Sequence, residues 1–194
     1  MEWCVPIQTF QVDRVQIGET VSSGLKPTIS ISYKDNDIVF SSLNILLPSI
    51  KIKSYTPTTG RLILSLDEHP NVLHKITALH NMIVDAVFVN QQKWFPNQPY
   101  MKKMSEIKNS IQSMITNSEI NLYCPLNDTD IHGPNIYFEN EWSQGAIEPG
   151  LLSPGRKVRI VLKINGVSFH IYRTTDQWSG KFRLQHRIIS LLVS

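Results

Sequence analysis

The chain has 194 residues, 41% hydrophobic and 18% charged. It can therefore bury a core without disulfides or metals, and general disorder is excluded. The formal net charge is only +3, so any binding to polyanions needs a local patch, not a generally basic surface.

The start, "MEWCVPIQTFQVDR", has neither the basic region nor the long apolar stretch of a secretory signal. No apolar run is expected to reach membrane-spanning length. The expectation is a soluble intracellular protein with no membrane partner. Cys4 and Cys124 are expected to be buried reduced thiols, a disulfide being left open, and no finger-like spacing suggests zinc.

The first part is rich in strand signals. "TISISY" (28–33) alternates strictly, "KDND" (34–37) turns and "IVF" (38–40) resumes. "SLNILLPSIKIKSY" (42–55) is a strand broken at Pro48, after which Ile50 and Ile52 alternate with Lys51, Lys53 and Tyr55. "TPTTG" is a loop and "RLILSL" (61–66) another strand. The period then changes. Leu73, Ile76, Leu79, Ile83 and Val87 form a helical stripe, with Pro70 where a first turn tolerates it. A shorter helix is expected over "YMKKMSEIKNSIQSMI", with Met104, Ile107, Ile111 and Met114 on one side. "EINLYCPL" and "PNIYFEN" are strands, and "EWSQGAIEPGLLSPG" (141–155) is a loop.

The chain closes on "GRKVRIVLKINGVSFHIYRTTDQWSGKFRLQHRIISLLV" (155–193), read as two long strands. Strand alternation puts Val158, Ile160, Leu162 and Ile164 on one face and Arg159, Val161 and Lys163 on the other. "NG" at 165–166 signals a turn or bulge. Beyond it, Val167, Phe169 and Ile171 oppose Ser168, His170 and Tyr172. On the last strand Phe182, Leu184, His186 and Ile188 oppose Lys181, Arg183, Gln185 and Arg187. Arg156, Lys157, Arg173 and Trp178 fall at strand ends or in the loop. A solvated outer face explains such cations in the ordinary way. The other reading is a basic sheet with aromatics at its rim. Cations would track the phosphates of a single nucleic-acid strand, and flat rings would stack on its bases. Lys51, Lys53 and Tyr55 repeat the pattern on another strand.

The order of elements resembles a family of uncharacterised proteins from nucleocytoplasmic large DNA viruses. The resemblance rests on "LSLD" at 64–67, "KWF" at 93–95, "INGVSF" at 164–169 and the closing "KFRLQHRIISLLV", and it covers about residues 10–193. The plan is also similar to the OB-fold single-stranded-DNA-binding proteins of T-odd bacteriophages. Their late "GS-K-V-V" strand has its counterpart in "SPGRKVRIVL". Two departures stand out. Ser168 and Phe169 occupy a region where the viral family usually has Trp, and this chain stops at "LLVS" where the phage proteins carry a long acidic tail. Tail-mediated recruitment of replication partners is therefore not carried over.

The run of elements reads as mainly β with one or two helices, which points to a barrel or a two-layer α+β fold, and the resemblance implies the barrel. The expected form is a single OB-fold-like β-barrel domain over 1–194, with a helical insert at about 70–116. It also implies sequence-nonspecific binding of single-stranded DNA in viral DNA replication, recombination or repair, inside an infected host cell. The alternative is a virion structural or assembly protein whose sheet faces make subunit contacts. Contacts with replication proteins and self-association are left open, and no cofactor or metal is expected.

Catalytic patterns are weak. "SEIK" (105–108) contains an E-x-K but reads as helix with no convergent ligands, and no phosphate-loop or nucleophile-elbow motif occurs. Asp67 and Glu68 are expected to cap the following helix, and His74 and His80 do not share a helix face. No enzyme activity is expected. The residues expected to bind DNA are Lys51, Lys53, Tyr55, Arg156, Lys157, Arg159, Lys163, His170, Tyr172, Arg173, Trp178, Lys181, Arg183 and Arg187.

Overall fold

The computed structural model describes residues 3–22, 26–126, 135–138, 141–143, 149–172, 174–175 and 177–194, with no side chains described for 135–138, 141–143 and 149. Fourteen strands among them form one mixed sheet. The first half supplies β1 (Val5–Pro6), β2 (Val15–Ile17), β3 (Thr28–Asp35), β4 (Ile38–Phe40), β5 (Leu43–Leu46), β6 (Ile50–Thr56) and β7 (Arg61–Ser65). Helices α1 (Pro70–Trp94) and α2 (Met104–Ser110) follow. Then come β8 (Ile111–Gln112), β9 (Ile115–Thr116), β10 (Glu119–Tyr123), β11 (Asn135–Phe138), β12 (Glu141–Ser143), β13 (Lys157–Ile171) and β14 (Trp178–Val193).

The chain is thus mainly β, with a barrel-like sheet and a helical insert. The ring runs β14, β13, β6, β7, β10, β9. It returns across Ser113 and Met114 to β8, which pairs parallel with β14 through Phe182 and Ile111. The Asn121 N–H donates to the Met114 carbonyl at 2.7 Å, bridging the gap between β8 and β9. Strand β13 is the common member. One edge carries β14, and the other carries β6, β5 and β3 in succession.

The alternation along β13 and β14 survives because its irregularities are bulges. Ile164 pairs with His186 and Gly166 with Gln185, so Asn165 is the extra residue and the inward set is kept. The "NG" signal is therefore a bulge within one continuous strand. A Cβ on Gly166 would lie 2.3 Å from the Ile29 carbonyl oxygen, so the close approach of β3 requires glycine there.

Helix α1 begins at Pro70, whose missing N–H costs nothing in a first turn. It buries Val72, Ile76, Leu79, Ile83 and Val87, with Trp94 at its end. The sequence stripe was right except that Val72, not Leu73, is the buried first member. Asp67 and Glu68 do not cap it. The N-cap is His69, Asp67 accepts from the Ser65 hydroxyl at 2.7 Å, and Glu68 faces Lys157. Contrary to the sequence expectation, α1 is long and apolar enough to cross a membrane, its best window having a mean hydropathy of 1.3. The stripe packed into the core accounts for part of that composition.

The second helix is shorter than expected. It ends at Ser110 because Ile111 and Gln112 exchange helical bonds for pairing with Phe182 and Arg183. Seven residues hold little helical stability of their own. Glu141–Ser143, expected as loop, is a strand on β11. Cys4 and Cys124 are free thiols, Cys4 half-buried and Cys124 buried.

Candidate nucleic-acid interface

Neither β13 nor β14 contains an acidic residue. The register places Arg159 beside Leu192, Lys163 opposite Arg187 and Ser168 opposite Arg183. Directly opposite residues share a face, so Arg159, Lys163, Arg187, Arg183 and Lys181 lie along one outward surface. Eleven residues separate Arg159 from His170, about 36 Å at strand rise. Arg159, Lys181, Arg183 and Arg187 make no ion pair with another described residue.

At the hairpin end this surface forms an open pocket of about 340 Å³. Lys26, Lys181 and Arg183 supply its cations, His170, Ser168 and Gln112 its neutral polar groups, and no acid is among the described residues that line it. The His170 Nδ1 lies 3.0 Å from the Ser179 hydroxyl, which fixes the ring. Tyr172 stands edge-on to His170 at 6.2 Å and is 53% exposed. Lys26 was missed in the sequence because it precedes "TISISY" in a stretch with no periodicity. Folding alone brings it beside the last strand.

The other end of the expected basic face is different. Lys53 is held by Glu119, whose carboxylate hydrogen-bonds it and keeps its pKa above the ordinary value. Lys157 lies 4.0 Å from Glu68. Lys51 is exposed and pairs in register with Lys157, but it shares a pocket with Asp67 and Glu119. Acids from β10 and the β7–α1 connection therefore offset the cations of β6. Alternation within β6 could not reveal this, because the acids come from elsewhere in the chain. Arg156 is exposed just before β13, its Nη1 donating to the Leu151 carbonyl at 3.4 Å.

Two expected stacking rings need correction. Trp178 is not in a loop at the rim. It begins β14, is 2% exposed, and its ring stacks on Phe95 at 4.8 Å. Its Nε1 donates to the Lys181 carbonyl at 3.0 Å, and the Lys102 ammonium lies 5.8 Å from the ring centroid. Trp178 thus joins Phe169, Phe182 and Trp94 in an aromatic core beneath the sheet. Tyr55 is half-buried and its hydroxyl donates to the Cys124 carbonyl at 3.0 Å. Burial pushes its pKa up to about 12. Arg173 lies outside the described residues.

Inward of the same ribbon, His186 meets α1. The Nδ1 of His80 lies 3.1 Å from the Ser113 hydroxyl, and that of His186 lies 3.4 Å from the Leu184 carbonyl. The Nε2 of each is sealed from solvent without a hydrogen-bond partner among the described residues. Burial lowers His80 to about 4, with His186 adding to the effect. Burial also lowers His186, while the Leu184 carbonyl opposes the shift and Arg183 adds to it. Burial thus favours the neutral form of both imidazoles, and each Nε2 is closed to solvent anions.

No protein-family model and no curated protein matches the chain.

Proposed function

We propose that the protein binds single-stranded DNA without sequence specificity, in DNA replication, recombination or repair, with the outward face of β13 and β14 as its contact surface. The observation that carries this is the all-basic charge of that face. Two long adjacent strands hold six Lys and Arg residues and no Asp or Glu. A face that merely needed solvation would be expected to mix both signs. Phosphates suit it because their contacts need positive charge and little shape. The pocket between Lys26, Lys181 and Arg183 is a second support, since it offers cations beside the exposed Tyr172 ring. Binding without catalysis is proposed because β13 and β14 carry no acid to act as base or metal ligand. The test is a mobility-shift titration with single-stranded and duplex oligonucleotides of equal length. Preferential retardation of the single strand is the expected result, and no retardation of either would refute the proposal.

A second reading, assembly through sheet faces, draws on β4. It pairs only with β3 among the described strands, and Ile38 and Val39 are 61% and 55% exposed. An apolar edge strand of this kind can pair with a second copy. Sedimentation of the wild type and of Val39→Lys tests it; a monomer in both excludes it.

A further inference from the structure

We infer that the open pocket at the hairpin end of the ribbon seats a terminal phosphate monoester of the bound strand. The inference rests on the proposed single-strand function and adds to it the recognition of a strand end.

The pocket is built on one rung of the sheet. Ser168 of β13 pairs with Arg183 of β14, and Arg183 pairs with Gln112 of β8. All three line the cavity of about 340 Å³. Lys181 lies two residues before Arg183 on the same face, about 7 Å away at strand rise. Lys26 joins them from just before β3. Among the described residues none of these three cations has an ion-pair partner. Ser168 is only 8% exposed, and its hydroxyl has no hydrogen-bond partner among the described residues. A hydroxyl buried to this extent ordinarily has a partner, so this one is left for what fills the cavity.

Charge and place favour a monoester. An internal phosphodiester carries a single negative charge, and both of its ester arms must leave the site. A terminal monoester carries a charge of about −1.5 to −2 and three acceptor oxygens. Three cations, a hydroxyl and the Gln112 amide around one cavity match that charge and those acceptors. The buried Phe169 and Phe182 also line it, and an apolar backing strengthens charge-assisted hydrogen bonds. Elsewhere on the ribbon the cations are not gathered in this way; Arg159 has Leu192 opposite it. Strand β13 ends at Ile171 and β14 begins at Trp178. A nucleic-acid strand lying along the ribbon from Arg159 therefore meets this pocket at the last rungs, where its end falls.

The experiment compares three internally labelled oligothymidylates of one length: with a 5′-phosphate, with a 3′-phosphate, and with hydroxyls at both ends. Affinities are taken by anisotropy, with melting temperatures on the same preparations. A strand with an end phosphate should bind about tenfold tighter than the hydroxyl-ended strand. If one end alone responds, it reports the direction of the strand along the ribbon. Ser168→Ala removes no charge and should abolish most of the preference. Arg183→Gln, at an exposed position, should do the same even if Ser168→Ala fails to fold. Arg159→Gln, at the far end of the ribbon, should weaken all three strands alike and keep the preference. Equal affinity of the wild type for the three strands, whether or not inorganic phosphate binds the cavity, overturns the end site while single-strand binding stands. A preference that survives both Ser168→Ala and Arg183→Gln overturns it too. If the wild type binds none of the strands, the end site and the proposed function both fall.

Discussion

Lys163 and Arg187 stand directly opposite each other on β13 and β14. Like charges facing across a strand pair destabilise a sheet by a few tenths to about 1 kcal/mol. The Arg187 Nε is moreover sealed from solvent with no hydrogen-bond partner among the described residues. A sealed, unpartnered guanidinium nitrogen costs stability in the free protein, which is understandable if an anion lies over it in use. Arg187→Gln is therefore expected to leave stability unchanged or raise it by up to about 1 kcal/mol. The same change should weaken single-strand binding. Denaturant melts and anisotropy titrations on one preparation measure both.

Trp178 and Tyr172 should separate cleanly. Trp178 is enclosed by Phe95, Phe169 and Phe182, so Trp178→Ala should cost about 3–5 kcal/mol of stability. Tyr172 is largely exposed. Tyr172→Ala should cost little stability but about 1–3 kcal/mol of single-strand affinity. Thermal melts with paired affinity measurements decide the assignment. Full affinity in Tyr172→Ala would remove this ring from the surface.

Much of this architecture was legible because strand alternation and helical period are local signals. The inward and outward sets of β13 and β14, the break at Pro48 and the start of α1 at Pro70 were all read from spacing. What was not legible depends on distant chain segments. Glu119 neutralises Lys53, Lys102 and Phe95 cover Trp178, and Lys26 joins a pocket formed by β13 and β14. The short β8 was hidden by a helical pattern that continued through Ile111 and Met114, where pairing to β14 prevailed.

The buried His80 implies a pH dependence of stability. Its pKa is about 4 in the folded chain and about 6.5 when unfolded. Between these values the unfolded chain binds more protons, so stability falls as pH falls. The His80 contribution should be constant above about pH 7 and drop by about 3 kcal/mol by pH 4. His186 acts in the same direction. Urea titrations across this range should show the loss, and His80→Gln should reduce it. A wild-type stability independent of pH between 4 and 7 would contradict the burial of these rings.

Gly166→Ala should be disruptive although the added methyl is small. Its Cβ would meet the backbone oxygen of Ile29, which cannot rotate away. The pairing of β3 on β13 would shift, at a cost of about 1–3 kcal/mol. Hydrogen exchange should show lost protection at Ile29 and Val167. Wild-type protection there would mean that β3 does not approach so closely.

Salt dependence tests the basic ribbon most directly. Anisotropy titrations of an oligothymidylate should give log K falling linearly with log salt, each phosphate contact adding about 0.7 to the magnitude of the slope. Lys181→Ala and Arg183→Ala should each weaken binding and make the slope shallower by about that amount. Lys53→Ala should change neither, because Glu119 already occupies that ammonium. Affinity independent of salt, or equal losses from Lys53→Ala and Arg183→Ala, would contradict β13 and β14 as the surface that holds the strand.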